Sequence, residues 1–310
     1  MPLFMRQPIT LAAALAVSLA APLGTLHAQQ AAPVTIPTAT GEAQITATPE
    51  TVAIFDLAAV DTVHALGVDI AGIPNSLFLE RLDAVADDAT VVGTLFEPDF
   101  EALANLNPDL IIAGGRSSAQ VEALSRLAPT LDMTITPEGF FDQVRARTAA
   151  YGEIFGKQAE ADALLTQLDD KLATARAAVD GKGDALIILT NGGNISTYGQ
   201  GTRFGWLHTA LDLPQAVETL DATQTHGESV SFEFIAEADP DWLLVIDRGA
   251  AIGQAGEAAR ATLDNQLIAG TSAAKNDRIV YLDPAELYVA GGGVAAAMHT
   301  LDQITDAFGS

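Results

Sequence analysis

The 310-residue sequence contains no cysteine. That excludes disulfide scaffolds, thiolate zinc sites, iron–sulfur clusters and cysteine nucleophiles. It also excludes a lipid anchor of the bacterial type, which needs a cysteine at the cleavage point. Basic residues are scarce, with 15 Lys plus Arg against 40 Asp plus Glu and a formal charge of −25. A surface this acidic repels phosphate, so no nucleic-acid partner is expected. The balance also argues, at first sight, against any anionic ligand. Intrinsic disorder is excluded by a hydrophobic content of 49%, enough to fill the core of a two-lobed chain. Enzyme signatures are missing as well: there is no phosphate-binding Gly-x-x-x-x-Gly-Lys-Ser/Thr loop, no His-Glu-x-x-His and no Gly-x-Ser-x-Gly. A periplasmic hydrolase would need a His or carboxylate cluster that the sequence does not assemble.

Residues 1–28 read as a secretory signal peptide: Arg6, then a charge-free run from Ile9 to Leu26, then Ala28 before Gln29. A retained membrane anchor is disfavoured by Pro22 and Gly24. Without a cysteine at the cut, the mature protein is expected free in the periplasm. Residues 29–48, rich in Thr, Ala and Pro, read as a disordered leader. From 49 to 156 short apolar strands alternate with amphipathic helices, the pattern of an α/β lobe with a mostly parallel sheet. Residues 157–180 form one long helix, with Ala161, Leu164, Leu165, Leu168, Leu172 and Ala175 at three- and four-residue steps. A second αβ lobe follows over 181–310. The expected fold class is thus α/β, two Rossmann-like αβ lobes joined by one connecting helix.

The lobes share a repeat. Phe100, Glu101, Pro108, Asp109 and Arg116 recur as Phe232, Glu233, Pro240, Asp241 and Arg248, each pair 132 positions apart. Each unit is a helix, a Pro-Asp turn, a buried strand and an arginine beyond the strand's carboxyl end, where open α/β sheets bind ligands. Two arginines would therefore meet at one cleft.

The run Gly93-Thr-Leu-Phe-Glu-Pro-Asp-Phe-Glu101, followed by Leu-Asn-Pro-Asp-Leu-Ile-Ile, resembles the iron-siderophore branch of ABC-importer substrate-binding proteins. The likeness is strongest to periplasmic binders of catecholate siderophores and spans about Thr51 to Phe308. It implies a monomer that carries Fe(III) as a siderophore complex, has no intrinsic cofactor and delivers its cargo to a transmembrane permease. It also implies only modest lobe closure. By the same resemblance three cleft arginines hold the ligand, here Arg116, Arg203 and Arg248. His226 and Tyr288 match positions that ligate ferric iron, and Glu101 and Glu233 match glutamates that dock onto the permease, with Glu97 and Glu228 as weaker candidates.

The chemistry is coherent. Ferric iron favours phenolate oxygen and accepts imidazole. A tris-catecholate fills all six positions, whereas a bis-catecholate leaves two for a tyrosinate and an imidazole. An anionic chelate suits guanidinium groups better than Lys. The plain alternatives are exposed surface for His226, packing for Tyr288, and surface ion pairs for the arginines, with Asp247 partly neutralising Arg248. His27 leaves with the signal peptide. His64, His208 and His299 fall in predicted helices as structural residues, and Tyr281 reads as core. Binders of hydroxamate siderophores, haem or corrinoids are the rival ligand classes.

Overall fold

A computed structural model describes residues 33–220, 224, 226–254 and 258–309. The signal-peptide segment 1–28 lies outside these. The described chain opens on an antiparallel hairpin, β1 (Val34–Thr38) and β2 (Gly41–Ile45). This corrects the expectation of a disordered leader over residues 29–48 for its described part, from residue 33 on; 29–32 lie outside the described residues. The Thr/Ala/Pro composition conceals two strands that place Ile36 and Ile45 in the core. Tertiary bonds finish the anchoring: Arg147 Nη1 donates to the Pro37 carbonyl at 2.7 Å, and Ala39 N–H to the Asp132 carbonyl at 2.8 Å.

The first lobe is built on β3 (Val52–Ile54), β4 (Gly72–Ile73), β5 (Thr90–Val91), β6 (Leu110–Ala113) and β7 (Thr130–Asp132). All are parallel, in the order β5-β4-β3-β6-β7. The second uses β8 (Ala185–Asn191), β9 (Asn194–Thr197), β10 (Glu228–Val230), β11 (Trp242–Asp247) and β12 (Ile279–Tyr281), in the order β10-β9-β8-β11-β12. Here only β8, β11 and β12 pair in parallel; β9 runs against both of its neighbours, β8 and β10. The central strands are buried along their length, as parallel strands covered on both faces must be. After β6 the chain forms a 3₁₀ segment over Gly115–Gln120 followed by one α-turn, Val121–Leu124. Gly115, which opens this segment, takes a left-handed φ of 52°, a conformation glycine adopts without strain.

The connecting helix runs Gln158–Val179 and buries Ala161, Leu168, Leu172, Ala175 and Val179. It packs along the C-terminal helix, Val294–Gly309, and against Phe140–Phe155.

The sequence repeat is a structural repeat. Helices Phe100–Leu106 and Phe232–Ala238 have seven residues each, N-capped by Asp99 and Ser231. Both end in a left-handed residue, Asn107 at φ 52° and Asp239 at φ 41°. The repeated aspartates also do the same work. Asp109 Oδ2 accepts from Thr51 N–H at 2.9 Å, and Asp241 Oδ2 from Asp184 N–H at 3.2 Å. In each lobe the carboxylate holds the residue just before the central strand, locking two parallel neighbours in register.

Candidate functional site

Arg116 and Arg248 leave the carboxyl ends of β6 and β11, and both reach one residue, Tyr288. The tyrosine is the last residue of a short helix, Pro284–Tyr288, capped by Asp283. Arg116 Nη2 donates to the Tyr288 carbonyl at 3.0 Å, and its guanidinium lies 5.2 Å from the ring centroid. From the opposite lobe Arg248 Nε donates to the Tyr288 hydroxyl at 3.2 Å, and Nη1 to Asn191 Oδ1 at 3.3 Å. Arg203 completes the set: Nη2 donates to the Tyr288 carbonyl, and its guanidinium stands 4.3 Å from the tyrosine centroid and 5.2 Å from Phe204. The repeat-related arginines thus clamp the same residue from two sides. Asp247 does not neutralise Arg248, because its oxygens accept from Ala250 N–H at 3.0 Å and Ala259 N–H at 2.8 Å.

Among the described residues none of the three arginines pairs with a carboxylate within 4.0 Å, whereas Arg81, Arg126 and Arg145 all do. Three guanidinium groups gathered with no carboxylate in direct contact among the described residues repel one another. Burial, then the charge of Arg116, lowers the basicity of Arg203. The same crowd acts on Tyr288. Burial would raise its phenol, but the Arg248 hydrogen bond and the charges of Arg203, Arg248 and Arg116 outweigh it, and the phenol sits below its ordinary value. The other three tyrosines shift the opposite way. Burial raises Tyr151 well above the normal range, Tyr198 to about 12, and Tyr281 as well. Tyr288 is the one phenol prepared to become phenolate.

The cleft beside this cluster encloses about 130 Å³, lined by Arg116, Arg203, Asp56, Phe140, Phe204 and Trp206 among others. Phe140 and Trp206 stack at 4.8 Å between centroids, a flat apolar wall. Asp56 sits at the floor as the cap of Leu57–Ala65; burial lifts its carboxyl to about 6, against the pull of Ala58 N–H and Arg116.

A family model described as periplasmic binding protein matches residues 52–286. The chain belongs to the periplasmic binding protein family. Within it the petrobactin-binding protein YclQ of Bacillus subtilis is 33% identical over 262 residues, 83% of this chain and 82% of that one. The ferric-anguibactin-binding protein FatB of Vibrio anguillarum is 29% identical over 286 residues, 90% and 88% of the two chains. The crystal structure of YclQ superposes with a TM-score of 0.85 at 30% identity, covering 90% of this chain and 99% of that one. That of the periplasmic catecholate-siderophore binding protein VctP of Vibrio cholerae gives 0.83 at 28% identity, over 88% and 99%. These relatives are named as binding proteins, and the two-lobed α/β architecture is shared with them.

In this periplasmic binding protein the remaining predicted residues lie outside the arginine cluster. His226 is exposed, and its backbone carbonyl accepts from the Tyr198 hydroxyl at 2.7 Å. Aromatic contacts connect its loop to the cleft: Tyr198 to Phe204 at 4.7 Å, and Phe204 to Tyr288 at 6.3 Å. Glu101 and Glu233 are exposed at matching second positions of the repeated helices. His208 is buried and neutral, pushed down to about 4 by desolvation, with Nδ1 3.0 Å from the Leu213 carbonyl. His64 and His299 are exposed on their helices. Sequence reasoning missed Asp56, Asn191 and the aromatic wall. Trp206 and Phe204 were within reach, since both follow Arg203 in the same Gly-rich loop. Among the described residues no helix is long and apolar enough to cross a membrane.

Proposed function

We propose that this protein binds a ferric catecholate siderophore in the interlobe cleft and delivers it to the permease of an ABC importer for iron uptake. The observation that carries the reading is the phenol of Tyr288 ringed by three arginines that pair with no carboxylate among the described residues. An anionic chelate satisfies that charge excess. Arg116, Arg203 and Arg248 are the donors to catecholate oxygens, exchanging backbone and phenol partners for a charged acceptor. Tyr288 fills one open position of a tetradentate complex as phenolate. His226 supplies a second ligand if its loop folds inward over the cleft. The siderophore-binding relatives support the same class of cargo.

The remaining roles belong to the same proposal. The protein works as a monomer, free in the periplasm once residues 1–28 are removed, with lobes at 49–156 and 181–310 joined by the connecting helix 157–180. Glu101 and Glu233 meet arginine pockets on the permease, steering encounter and fixing register.

The test is a titration with ferric bis-catecholate, tris-catecholate and hydroxamate complexes, followed by quenching of Trp206 at the cleft wall. Catecholate complexes are expected to bind tightest. Arg248→Gln should weaken them by about ten- to a hundredfold, the worth of a charge-assisted hydrogen bond. Tightest binding of the hydroxamate complex overturns the reading. So does a bis-catecholate affinity and visible charge-transfer band unchanged by both His226→Ala and Tyr288→Phe.

A further inference from the structure

The helix that carries Tyr288 has five residues, too few to hold itself in place. Its one buried charged side chain is Glu286, 5% exposed, two residues before the tyrosine. Both oxygens of Glu286 are taken by a first-lobe arginine: Arg81 Nε donates to Oε1 at 2.8 Å and Nη2 to Oε2 at 2.6 Å. The remaining arm of Arg81, Nη1, pairs with Oδ1 of Asp61, which is fully buried on the first-lobe helix Leu57–Ala65.

Asp61 in turn holds a third element. Its Oδ2 accepts from Ala295 and Ala296 N–H at 2.9 and 3.0 Å, capping the C-terminal helix, while Thr62 Oγ1 accepts from Val294 N–H at 3.1 Å. The approach depends on Gly293, where a Cβ would collide with Asp61 Oδ2. His299 and Asp283 stand close behind Glu286, their ligand-type atoms within 4.8 Å of one another. Because Arg81 occupies both Glu286 oxygens, this is an ion network and not a cation cradle.

One buried point therefore joins the first lobe, the Tyr288 helix and the C-terminal helix. Arg81 is distinct from the three cleft arginines. Its fork is saturated by carboxylates, and it acts on Tyr288 only through the backbone of the helix. We infer that Arg81 and Glu286 are positioning residues for Tyr288, setting its hydroxyl where Arg248 and an incoming chelate meet it. A bidentate arginine fork suits this work, since it fixes direction as well as distance.

This inference rests on the reading of Tyr288 as an iron ligand, and the experiment separates the two. Wild type, Glu286→Gln and Tyr288→Phe are compared for affinity to ferric bis-catecholate and tris-catecholate and for the phenolate-to-iron charge-transfer band, with thermal unfolding as the folding control. Supports of a metal ligand typically change affinity by about 10–100-fold when removed. Glu286→Gln is expected to weaken bis-catecholate binding by about that factor and to dim or shift the band. Tris-catecholate, which needs no protein ligand, should bind Glu286→Gln as it binds wild type. If Glu286→Gln weakens both complexes in parallel, or leaves the selectivity and the band intact in a folded protein, the positioning role is refuted. If Tyr288→Phe itself leaves band and selectivity unchanged, the ligand reading falls first. Should Glu286→Gln fail to fold, Arg81→Lys keeps the charge, loses the fork and is judged by the same ratio.

Discussion

Two buried titratable groups make opposite demands on stability, and the opposition can be measured. Asp61 is fully buried, and desolvation lifts its carboxyl from 3.8 to about 6 despite Arg81 and the N–H groups of the C-terminal helix. A raised carboxyl means the folded state keeps a proton that the unfolded chain releases. Its contribution to folding is present in acid and fades as pH rises through about 6. His208, 2% exposed, is displaced the other way, from 6.5 to about 4. The unfolded chain takes up a proton below 6.5 that the folded state refuses, so this contribution holds at neutral pH and is lost as pH falls toward 4. At 1.36 kcal/mol per unit, moving from about pH 7 to pH 5 gains on the order of 1 kcal/mol through Asp61 and loses on the order of 2 kcal/mol through His208. Between these two groups the changes largely offset each other.

Single substitutions expose each half. Asp61→Asn removes the acid-side gain, so its deficit relative to wild type should be on the order of 1 kcal/mol larger at pH 5 than at pH 7. His208→Asn keeps a donor for the Leu213 carbonyl and removes the acid-side loss, so its deficit should shrink by about 2 kcal/mol over the same interval. Urea unfolding followed by the two buried tryptophans, Trp206 and Trp242, gives the midpoints and slopes. Differences of the same sign for the two variants, or differences that do not change with pH, would refute the assignment of burial as the dominant cause.

Three further outcomes are expected. A near-ultraviolet phenolate titration of the wild type should resolve one early tyrosine; Tyr288→Phe should abolish that step and Arg248→Met should move it upward, because Tyr151, Tyr198 and Tyr281 are all raised. Asn107→Gly should raise unfolding stability by up to about 1 kcal/mol by relieving a left-handed side chain, while the matching Asp239→Gly should lower it by about 1–2 kcal/mol. Asp239 accepts from Ser272 N–H at 2.6 Å and from its hydroxyl at 3.1 Å, and a glycine cannot. Ile36→Ala should cost about 3 kcal/mol in urea unfolding, as a core residue does; a value near zero would mean that the β1–β2 hairpin does not pack on the first lobe.

The parts of the fold legible in the sequence were those written in local chemistry. The long helix announces itself by spacing, and the central strands by unbroken apolar runs between turns. The repeat was readable because each identity acts on its immediate neighbours. Phe and Glu open a helix, Pro and Asp turn it into a strand, and the aspartate then bonds the N–H just ahead of the neighbouring strand. The hairpin was not, because its strands are short and its Thr/Ala/Pro composition matches that of a leader. Strands β9 and β10 escaped for a similar reason. They are three or four residues long, largely polar and only partly covered, so neither alternation nor apolar content marks them.

The site divides along the same line. Arginines placed after strand ends can be found from a linear pattern, because topology brings strand ends together without help from side chains. What holds Tyr288 cannot. Glu286 and Arg81 are 205 residues apart, and Asp61 lies in a helix where an acid ordinarily marks the solvated face. A buried charge is costly unless it is paired, so its partner is set by three-dimensional packing alone. The whole-chain charge of −25 misled for the same reason. It sums over the whole surface, whereas a ligand meets the local field, and in this cleft three guanidinium groups around Tyr288 outnumber the one lining carboxyl, Asp56.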